Sequence, residues 1–374
     1  MTIVARIEPL VYRVPVETPV ATSFGIMRDR PALFIHVLDE DGAEGWGEVW
    51  CNFPSVGAEH RARLVAETLA PMIVGKDWND PAEIYRHLTA RTEVLAIQSG
   101  EHGPLAQAIA GIDQALWDLF ARRAGMPLYR YLGGAHARTV PVYASGINAD
   151  EPEKLTARKL EEGYRRFKLK VGFGRDKDLR NLRALREILG DETPIMIDAN
   201  QAWDRETATE MALACAAFAP AWLEEPMRAD TPAGKWAELS RRSPIPLAAG
   251  ENIRGAANFE SAVASMGLRY LQPDIGKWGG LTGCLPICRK TLASGLVYCP
   301  HWLGGGIGLV ASLHLLAAVG GSGALEVDAN PNPLREAHLD QLGPIENGRI
   351  GIPQGAGLGV AARMEEMARY SVPI

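Results

Sequence analysis

Three carboxylates, Asp198, Glu224 and Glu251, each close a short apolar run, in PIMID, AWLE and IPLAAGE, at steps of 26 and 27 residues. We expect successive strand–helix units of that length to bring all three to one rim, where like charges repel unless a cation lies between them. A ligand set of carboxylates without His or Cys favours Mg²⁺ over Zn²⁺. The spacing therefore predicts a metal enzyme with one Mg²⁺ per subunit.

Two lysines, Lys168 and Lys170, lie in the apolar segment FKLKVG. Strand alternation places both side chains on the same side, toward the interior. Two adjacent ammonium groups repel, so we expect the pKa of Lys170 to be lowered toward that of a useful base. A solvated pair on an edge strand is the alternative, and the apolar neighbours Phe167 and Val171 disfavour it.

A second acid/base is predicted from His301 and Asp274, which follow two later apolar runs. Alone, His301 would be read as a packed core histidine and Asp274 as a turn residue after Pro273. Matching positions on neighbouring strands favour an oriented carboxylate–imidazole pair instead. Between two such bases, a bound Mg²⁺ could hold a substrate carboxylate and stabilise the charge that forms when the neighbouring carbon loses a proton.

The elements that carry these groups change along the chain. Residues 1–125 combine antiparallel strand patterns, with a turn at Asp41-Gly42, and helical patterns over 57–74, 81–93 and 104–124. From about residue 139, apolar runs alternate with helical stretches at steps of 23 to 28 residues, with polar markers at Ser145, Lys170, Asp198, Glu224, Glu251, Asp274, His301 and Glu326.

Eight such units predict an α/β fold, a (β/α)8 TIM barrel over residues 126–334 with an α+β capping domain over 1–125. We expect residues 335–374 to pack back onto the cap. A doubly wound open sheet is the structural alternative, but it rarely places a polar residue at the end of every strand.

Composition excludes several classes of function. The 374 residues carry a net charge of −6, which offers no basic surface for nucleic acid or an anionic membrane. No long apolar run or leader pattern is present, so we expect a cytoplasmic protein without a membrane partner. Cys284 and Cys288 lie four apart on a predicted helix and could bind zinc, although buried thiols are the simpler interpretation for all five cysteines.

The motifs FKLKVG, DANQAW, EEP, GEN, PDIGKWGG, PHW and LEVD occur in order, and the chain resembles the enolase superfamily, within it the mandelate racemase-like subgroup, over essentially its whole length. The resemblance implies a modified, enolase-like barrel and a homo-oligomer. It implies Asp198, Glu224 (rather than Glu225) and Glu251 as Mg²⁺ ligands and Lys170 as a general acid/base.

Further roles follow from the resemblance alone. Lys168 would contact the substrate carboxylate, and His301 with Asp274 would be the second acid/base. Glu326, with Asp328 as the rival acid on that strand, would donate a hydrogen bond to the enolate oxygen. Asn200 matches a substrate-contacting position.

Substrate selection is expected from capping loops at about 17–30 and 50–58, which contain Phe24 and Trp50, and from Trp302 near the barrel mouth. These aromatics favour a short or partly apolar carboxylate, and Ala199 stands where some sugar-acid dehydratases carry a histidine. Lys277 occupies the position of the second base in the muconate-lactonising branch, but His301 favours the racemase-like branch. The clusters GGLTG and GGGIG are interpreted as close packing rather than phosphate sites.

These residues predict abstraction of the proton α to a carboxylate, giving a metal-stabilised enolate. Dehydration of a hydroxy acid or acid sugar is the expected outcome. Racemisation or epimerisation of a 2-substituted acid and muconate-type cycloisomerisation are alternatives. A Schiff-base aldolase using Lys170 and a non-catalytic binding barrel also fit the fold.

Overall fold

The computed structural model describes residues 2–21 and 25–374. The chain begins with an antiparallel sheet in which β2 lies between β1 and β3. Three helices follow, and irregular helical turns continue the first of them to Met72. These elements are β1 (Thr2–Ala21), β2 (Ile26–Asp39), β3 (Glu44–Val49), α1 (Gly57–Arg63), β4 (Asp77–Trp78), α2 (Pro81–Ser99) and α3 (His102–Arg123).

The sheet and α3 lie in unusually close contact, which two glycines of β3 make possible. A Cβ atom on Gly45 would lie 2.1 Å from the carbonyl oxygen of Ala115, and one on Gly47 would lie 2.1 Å from that of Gly111. Any side chain at these positions would push helix and sheet apart. The predicted turn at Asp41-Gly42 is confirmed, since Leu38 and Glu44 pair directly across it.

The rest of the chain forms a ring of eight parallel strands in the order β11-β10-β9-β8-β7-β6-β5-β12. The ends of this path meet: a Cβ on Gly323 would lie 1.7 Å from the carbonyl oxygen of Tyr298, and the Ala324 amide donates to Cys299 Sγ at 3.5 Å. The strands are β5 (Thr139–Ile147), β6 (Phe167–Lys170), β7 (Ile195–Asp198), β8 (Leu223–Glu224), β9 (Leu247–Ala249), β10 (Tyr270–Leu271), β11 (Val297–Tyr298) and β12 (Leu325–Asp328).

Helices surround these strands, and some of them begin at a side-chain cap. Asp204 accepts a hydrogen bond from the Thr207 amide at the start of α7 (Arg205–Cys215). Helix α11 (Gly306–Val319) is buried almost throughout, and most of its residues on every side are apolar. The helices are α4 (Leu128–Tyr131), α5 (Pro152–Glu161), α6 (Arg175–Leu189), α7 (Arg205–Cys215), α8 (Ala233–Arg242), α9 (Ala256–Ser265), α10 (Gly280–Ala293), α11 (Gly306–Val319) and α12 (Pro333–Leu339). The predicted capped TIM barrel is confirmed.

The C-terminal segment contacts both parts of the molecule. Strand β13 (Arg349–Gly351) pairs with β5 of the barrel, and β14 (Ser371–Val372) pairs with β1 of the cap. Strand β13 pairs with residues 139–141 of β5, which lie before the part of β5 that pairs with β6 and β12. The domain boundaries at 125 and 334 stay predictions.

All five cysteines are buried with free thiols, as the simpler interpretation requires. Cys284 Sγ donates a hydrogen bond to the Trp278 carbonyl oxygen at 3.2 Å. Within the part of the chain that the structure describes, no helix is both long and apolar enough to cross a membrane.

The C-terminal segment is also held by a buried histidine of α11. His314 Nδ1 accepts from the Tyr129 amide at 3.2 Å, and Nε2 lies 3.0 Å from the Leu358 carbonyl oxygen. This pattern requires a neutral ring, and burial lowers the pKa of His314 to about 4 although the Leu358 hydrogen bond opposes the shift.

We predict that this histidine weakens the fold on acidification. The unfolded chain binds a proton near pH 6.5 whereas the folded chain does so only near 4, so stability present above pH 6.5 is lost as pH falls toward 4. The loss from this group is about 3 kcal/mol. Urea unfolding between about pH 7 and about pH 4.5 should show a shallower loss for His314→Gln than for the wild type. The exposed His102→Gln is the control, and equal slopes in all three proteins would contradict the prediction.

Candidate active site

The three predicted metal ligands lie at the carboxyl ends of adjacent parallel strands. Asp198 ends β7 and pairs directly with Glu224, which ends β8, and Glu251 follows β9 by two residues. All three are buried, with 1%, 1% and 8% of their surface exposed. Burial and the charge of Asp198 raise the pKa of Glu224 to about 7. Burial and Glu251 also act to raise the pKa of Asp198, but Lys170 and Lys168 outweigh them and lower it overall. The structure thus brings these carboxylates to one rim.

Each of these carboxylates is paired with a cationic side chain of the protein. Asp198 Oδ2 lies 2.6 Å from Lys170 Nζ, and Glu224 Oε1 lies 2.7 Å from Lys168 Nζ. Glu251 Oε2 lies 2.5 Å from His301 Nε2. Among the described residues, no three His, Cys, Asp or Glu side chains form a ready-made metal site. Ligation by all three acids would therefore require them to turn from these partners.

The expected lowering of the pKa of Lys170 is wrong for this arrangement. Burial and the neighbouring Lys168 do lower it, but the carboxylates of Asp198 and Glu224 together outweigh them, and the pKa of Lys170 is raised overall. Lys170 also donates to Asn200 Oδ1 at 2.6 Å. Lys168 is wholly buried between Glu224 and Glu326, and these carboxylates raise its pKa well above the usual value against the effect of burial.

The predicted imidazole–carboxylate pair is present in the structure. His301 Nδ1 lies 2.6 Å from Asp274 Oδ2, and the other ring nitrogen faces Glu251. Burial lowers the pKa of His301, but Glu251, Glu326 and Asp274 outweigh it and raise the pKa to about 10. The ring is therefore held in one orientation as a charged proton carrier.

Glu326 lies in the barrel interior as a hydrogen-bond acceptor. It accepts from Ser145 Oγ at 2.5 Å and from the Trp302 amide at 2.9 Å, and Lys168 Nζ lies 2.6 Å away. Burial raises its pKa, but Lys168 and His301 lower it overall. The expected role as a hydrogen-bond donor would require a proton that this environment disfavours.

A second acid of the EEP motif is also buried in the site. Asn252 Nδ2 donates to both oxygens of Glu225, at 3.1 and 2.8 Å, and to Glu251 at 2.9 Å. Burial and the charge of Glu251 raise the pKa of Glu225 well above its usual value. Lys277 Nζ lies 3.1 Å from Glu251 and 4.7 Å from the centre of the Trp50 ring. Glu225 and Lys277 thus flank Glu251 on the outer side.

A cavity of about 220 Å³ contains both candidate bases, Lys170 and His301, in its lining. It is lined by Lys170, His301, Glu251 and Lys277 and by a second polar cluster, Arg30, Asp328 and Asn330, whose members contact one another and which we call its distal end. Met27, Trp50 and Phe53 of the cap form its roof. An open cleft of about 1150 Å³ meets it at Trp50, Asn200 and Lys277 and leads to solvent.

The predicted substrate contacts divide into three groups. Asn200, Lys277 and Trp50 line the cavity. Trp302 is instead packed in the core with 2% of its surface exposed, because its indole fits against Gly276, Gly304 and Gly308. Phe24 lies outside the described residues.

Sequence reasoning missed the polar end of the cavity. Arg30 of β2 is 93% buried and pairs with Asp328 Oδ2 at 3.0 Å, while its Nε has no hydrogen-bond partner within residues 2–21 and 25–374. Asn330 donates to Asp328 Oδ1 at 2.8 Å. An arginine on an apolar strand and the acid–asparagine pair in LEVDAN were the available signals.

Two family models match the chain in succession. Residues 6–133 match the N-terminal domain of mandelate racemase/muconate lactonizing enzymes, and residues 152–367 match the enolase C-terminal domain-like family. The chain belongs to the mandelate racemase/muconate lactonizing enzyme family of the enolase superfamily.

Comparisons over nearly the whole length of the chain support the same assignment. A crystal structure described as a mandelate racemase/muconate lactonizing enzyme from Bordetella bronchiseptica RB50 is 53% identical, with a TM-score of 0.92 and coverage of 99% of this chain and 100% of that one. The L-talarate/galactarate dehydratase of Salmonella typhimurium is 33% identical over 95% of this chain and 87% of that protein. A racemase from Streptomyces coelicolor A3(2), solved with bound magnesium, is 29% identical with a TM-score of 0.87, over 99% and 100% of the two chains.

Other relatives include acid-sugar dehydratases, cycloisomerases and a racemase. This family member is therefore an enzyme of the lyase or isomerase kind.

We predict that Mg²⁺ added to the metal-free protein raises its melting temperature. A hundredfold excess over Kd adds about 2.7 kcal/mol, roughly 3 °C for a chain of this length. Asp198→Asn and Glu224→Gln should lose most of this shift because each removes one charged oxygen ligand. Glu225→Gln is the matched control and should keep it, since an amide can still accept from Asn252. Equal shifts in all four proteins, measured by calorimetry, would argue against these ligands.

Proposed function

We propose that this enzyme is a Mg²⁺-dependent dehydratase of hydroxylated carboxylic acids, with acid sugars of five or six carbons as the substrate class. The observation that carries this proposal is the pair of proton-transfer groups, Lys170 and His301, which line one cavity next to the three strand-end carboxylates. Relatives named as acid-sugar dehydratases support the substrate class.

The donor set suits a divalent cation. Five buried carboxylates, Asp198, Glu224, Glu251, Asp274 and Glu326, lie in contact with the cationic side chains of Lys168, Lys170, Lys277 and His301. Five acids against four cationic groups leave the cluster net negative when all are charged, which favours binding of a cation such as Mg²⁺. Asp198, Glu224 and Glu251 would hold it, and the bound ion would bind the substrate carboxylate and offset the negative charge that develops there.

The protein's own groups then divide the proton chemistry. Lys170 takes the α proton of the substrate. It does so in its neutral form, after its ammonium group has lost a proton and Asp198 no longer pairs with it. Lys168 stays charged beside Glu326, and it lies on the same strand face as Lys170, where it can neutralise the substrate carboxylate. His301, oriented by Asp274 and charged, delivers its proton to the departing β-hydroxyl.

The distal end of the cavity favours a hydroxylated substrate over the short or partly apolar acid that the loop aromatics suggested. Arg30 brings an unpartnered buried N–H, and Asp328 and Asn330 bring oxygen and amide groups. Buried polar groups of this kind select for ligands that complete their hydrogen bonds. A cavity of about 220 Å³ also suits a small molecule, since drug-sized ligands occupy about 300–1,000 Å³.

Cycloisomerisation is the second candidate, favoured by one observation. Lys277 lines the cavity beside Glu251 and is 8% exposed, so a third proton carrier lies within the site. Two contacts argue against this role for Lys277. Its ammonium group lies over the Trp50 ring and binds Glu251, which favours a fixed, charged side chain that offsets the charge of the carboxylates.

We predict different losses for the two bases in ²H₂O with a panel of aldonic and aldaric acids. Lys170→Ala should lose both 2-keto acid formation and α-hydrogen exchange, because the α proton is no longer removed. His301→Asn should lose keto acid formation about 10²–10⁴-fold yet keep exchange. Nuclear magnetic resonance follows exchange, and a keto-acid assay follows dehydration. Exchange without keto acid in the wild type would indicate racemisation, and borohydride trapping of Lys170 would indicate an aldolase.

We predict that Arg30→Met reduces kcat/KM about 10–100-fold for six-carbon acids and little for a three-carbon hydroxy acid, since only the longer acid reaches the distal end. The exposed Arg28→Met is the matched control and should leave both values unchanged. Steady-state kinetics at a temperature where both variants are folded gives the comparison. An equal fall for long and short acids would contradict the distal contact.

A further inference from the structure

The cap strand β3 ends in a segment that contacts both catalytic loops of the barrel, and we name residues 48–52 the clamp. The Glu48 side chain, 1% exposed, accepts hydrogen bonds from the amide of Gly305 and from that of Gly308 at 2.9 Å. Asn52 Nδ2 donates to the Leu303 carbonyl oxygen at 2.6 Å. The clamp thereby holds the loop that carries His301.

The same segment holds the loop that carries Asp274. The Trp50 amide donates to the Gly276 carbonyl oxygen at 3.4 Å. Gln114 of α3 donates to the Ile275 carbonyl oxygen at 3.1 Å and to that of Glu48 at 2.9 Å. Both partners of the imidazole–carboxylate pair are thus fixed from the cap as well as from their own strands.

The glycine cluster 304–308 is built around this carboxylate. A Cβ on Gly304 or Gly305 would lie 2.8 Å from Glu48 Oε1, and one on Gly308 would lie 2.0 Å from the Trp302 ring. Trp302 in turn donates its backbone amide to Glu326 and its indole N–H to the Gly305 carbonyl oxygen, each at 2.9 Å. Contacts therefore run without a break from Glu48 to the residue next to His301.

The electrostatics agree with a role for Glu48 beyond filling space. Two backbone amides at the start of α11 and the positive end of its dipole stabilise an anion at this point. Burial nevertheless raises the pKa of Glu48 to about 8, and Asp274 adds to the shift. A purely structural contact could use an uncharged side chain without this cost.

We propose that Glu48 is a positioning residue, a cap-domain carboxylate that holds the His301 loop in register with Asp274 so that the imidazole meets the substrate's leaving group. This inference rests on the proposed function for the role of His301, but not for the contacts themselves. Because a misplacement of about 1 Å can cost on the order of 100-fold in rate, the effect should be large although Glu48 touches no substrate.

Asp113 provides a matched control elsewhere in the cap–barrel contact. It is a carboxylate of α3, 1% exposed, that accepts from the Thr282 amide at 2.9 Å and its hydroxyl at 2.6 Å, in the first turn of α10. It therefore makes the same kind of link as Glu48, but to the helix that follows the Asp274 loop and not to the loop that carries His301.

The test compares Glu48→Gln with Asp113→Asn on the full-length protein loaded with Mg²⁺. We expect Glu48→Gln to lower kcat for dehydration about 10–100-fold, with KM and Lys170-dependent α-hydrogen exchange nearly unchanged. Asp113→Asn should leave kcat within about twofold at a similar loss of melting temperature. Equal effects of the two substitutions on kcat, or none from Glu48→Gln, would overturn the proposal.

Hydrogen–deuterium exchange by mass spectrometry provides a readout that does not depend on the reaction. Glu48→Gln should increase amide exchange in residues 299–310 and not in 279–285, and Asp113→Asn should do the reverse. If the wild-type enzyme converts none of the acids, the proposed function is wrong, but the exchange pattern still shows whether Glu48 holds the His301 loop. Where Glu48→Gln does not fold, Asn52→Ser removes only the Leu303 contact and should show the same exchange pattern, and unchanged exchange there would refute the clamp.

Discussion

Buried charge compensation at the carboxyl ends of the barrel strands is the constraint on which the rest of the site depends. Asp198, Glu224 and Glu251 lie almost without solvent, and isolated carboxylates in such a place would be strongly destabilising. Lys168, Lys170 and His301 provide the opposing charge at 2.5 to 2.7 Å. The groups proposed to move protons are therefore the same groups that stabilise the ligand acids.

Because the same side chains pair with the acids and transfer protons, metal binding should change the pKa values of Lys170 and His301. A cation that engages Asp198 would release Lys170 from its strongest partner, and one that engages Glu251 would release His301. Removing those carboxylate interactions lowers the pKa of each base toward neutrality. The raised pKa values of Lys170 and His301 in this structure thus describe a resting arrangement in which protein cations pair with the acids.

Much of the barrel and its rim could be predicted from the sequence, because strand ends recur at regular steps and carry polar residues. The pairing of His301 with Asp274 followed from the same regularity. The buried position of Trp302 could not be predicted, since an indole beside a glycine cluster could lie at the mouth of the barrel or in the core equally well. Glu225 and Arg30 needed coordinates, because their roles depend on contacts with Asn252 and Asp328 from distant parts of the chain.

The most direct test of the central claim is a crystal structure of Lys170→Ala with Mg²⁺ and an unreacted six-carbon hydroxy acid. The account predicts one ion with oxygens of Asp198, Glu224 and Glu251 at about 2.0–2.1 Å, the substrate carboxylate on the ion, and His301 Nε2 facing the β-hydroxyl. Finding Glu224 still paired with Lys168, Glu251 still paired with His301 and no ion between the three acids would contradict it.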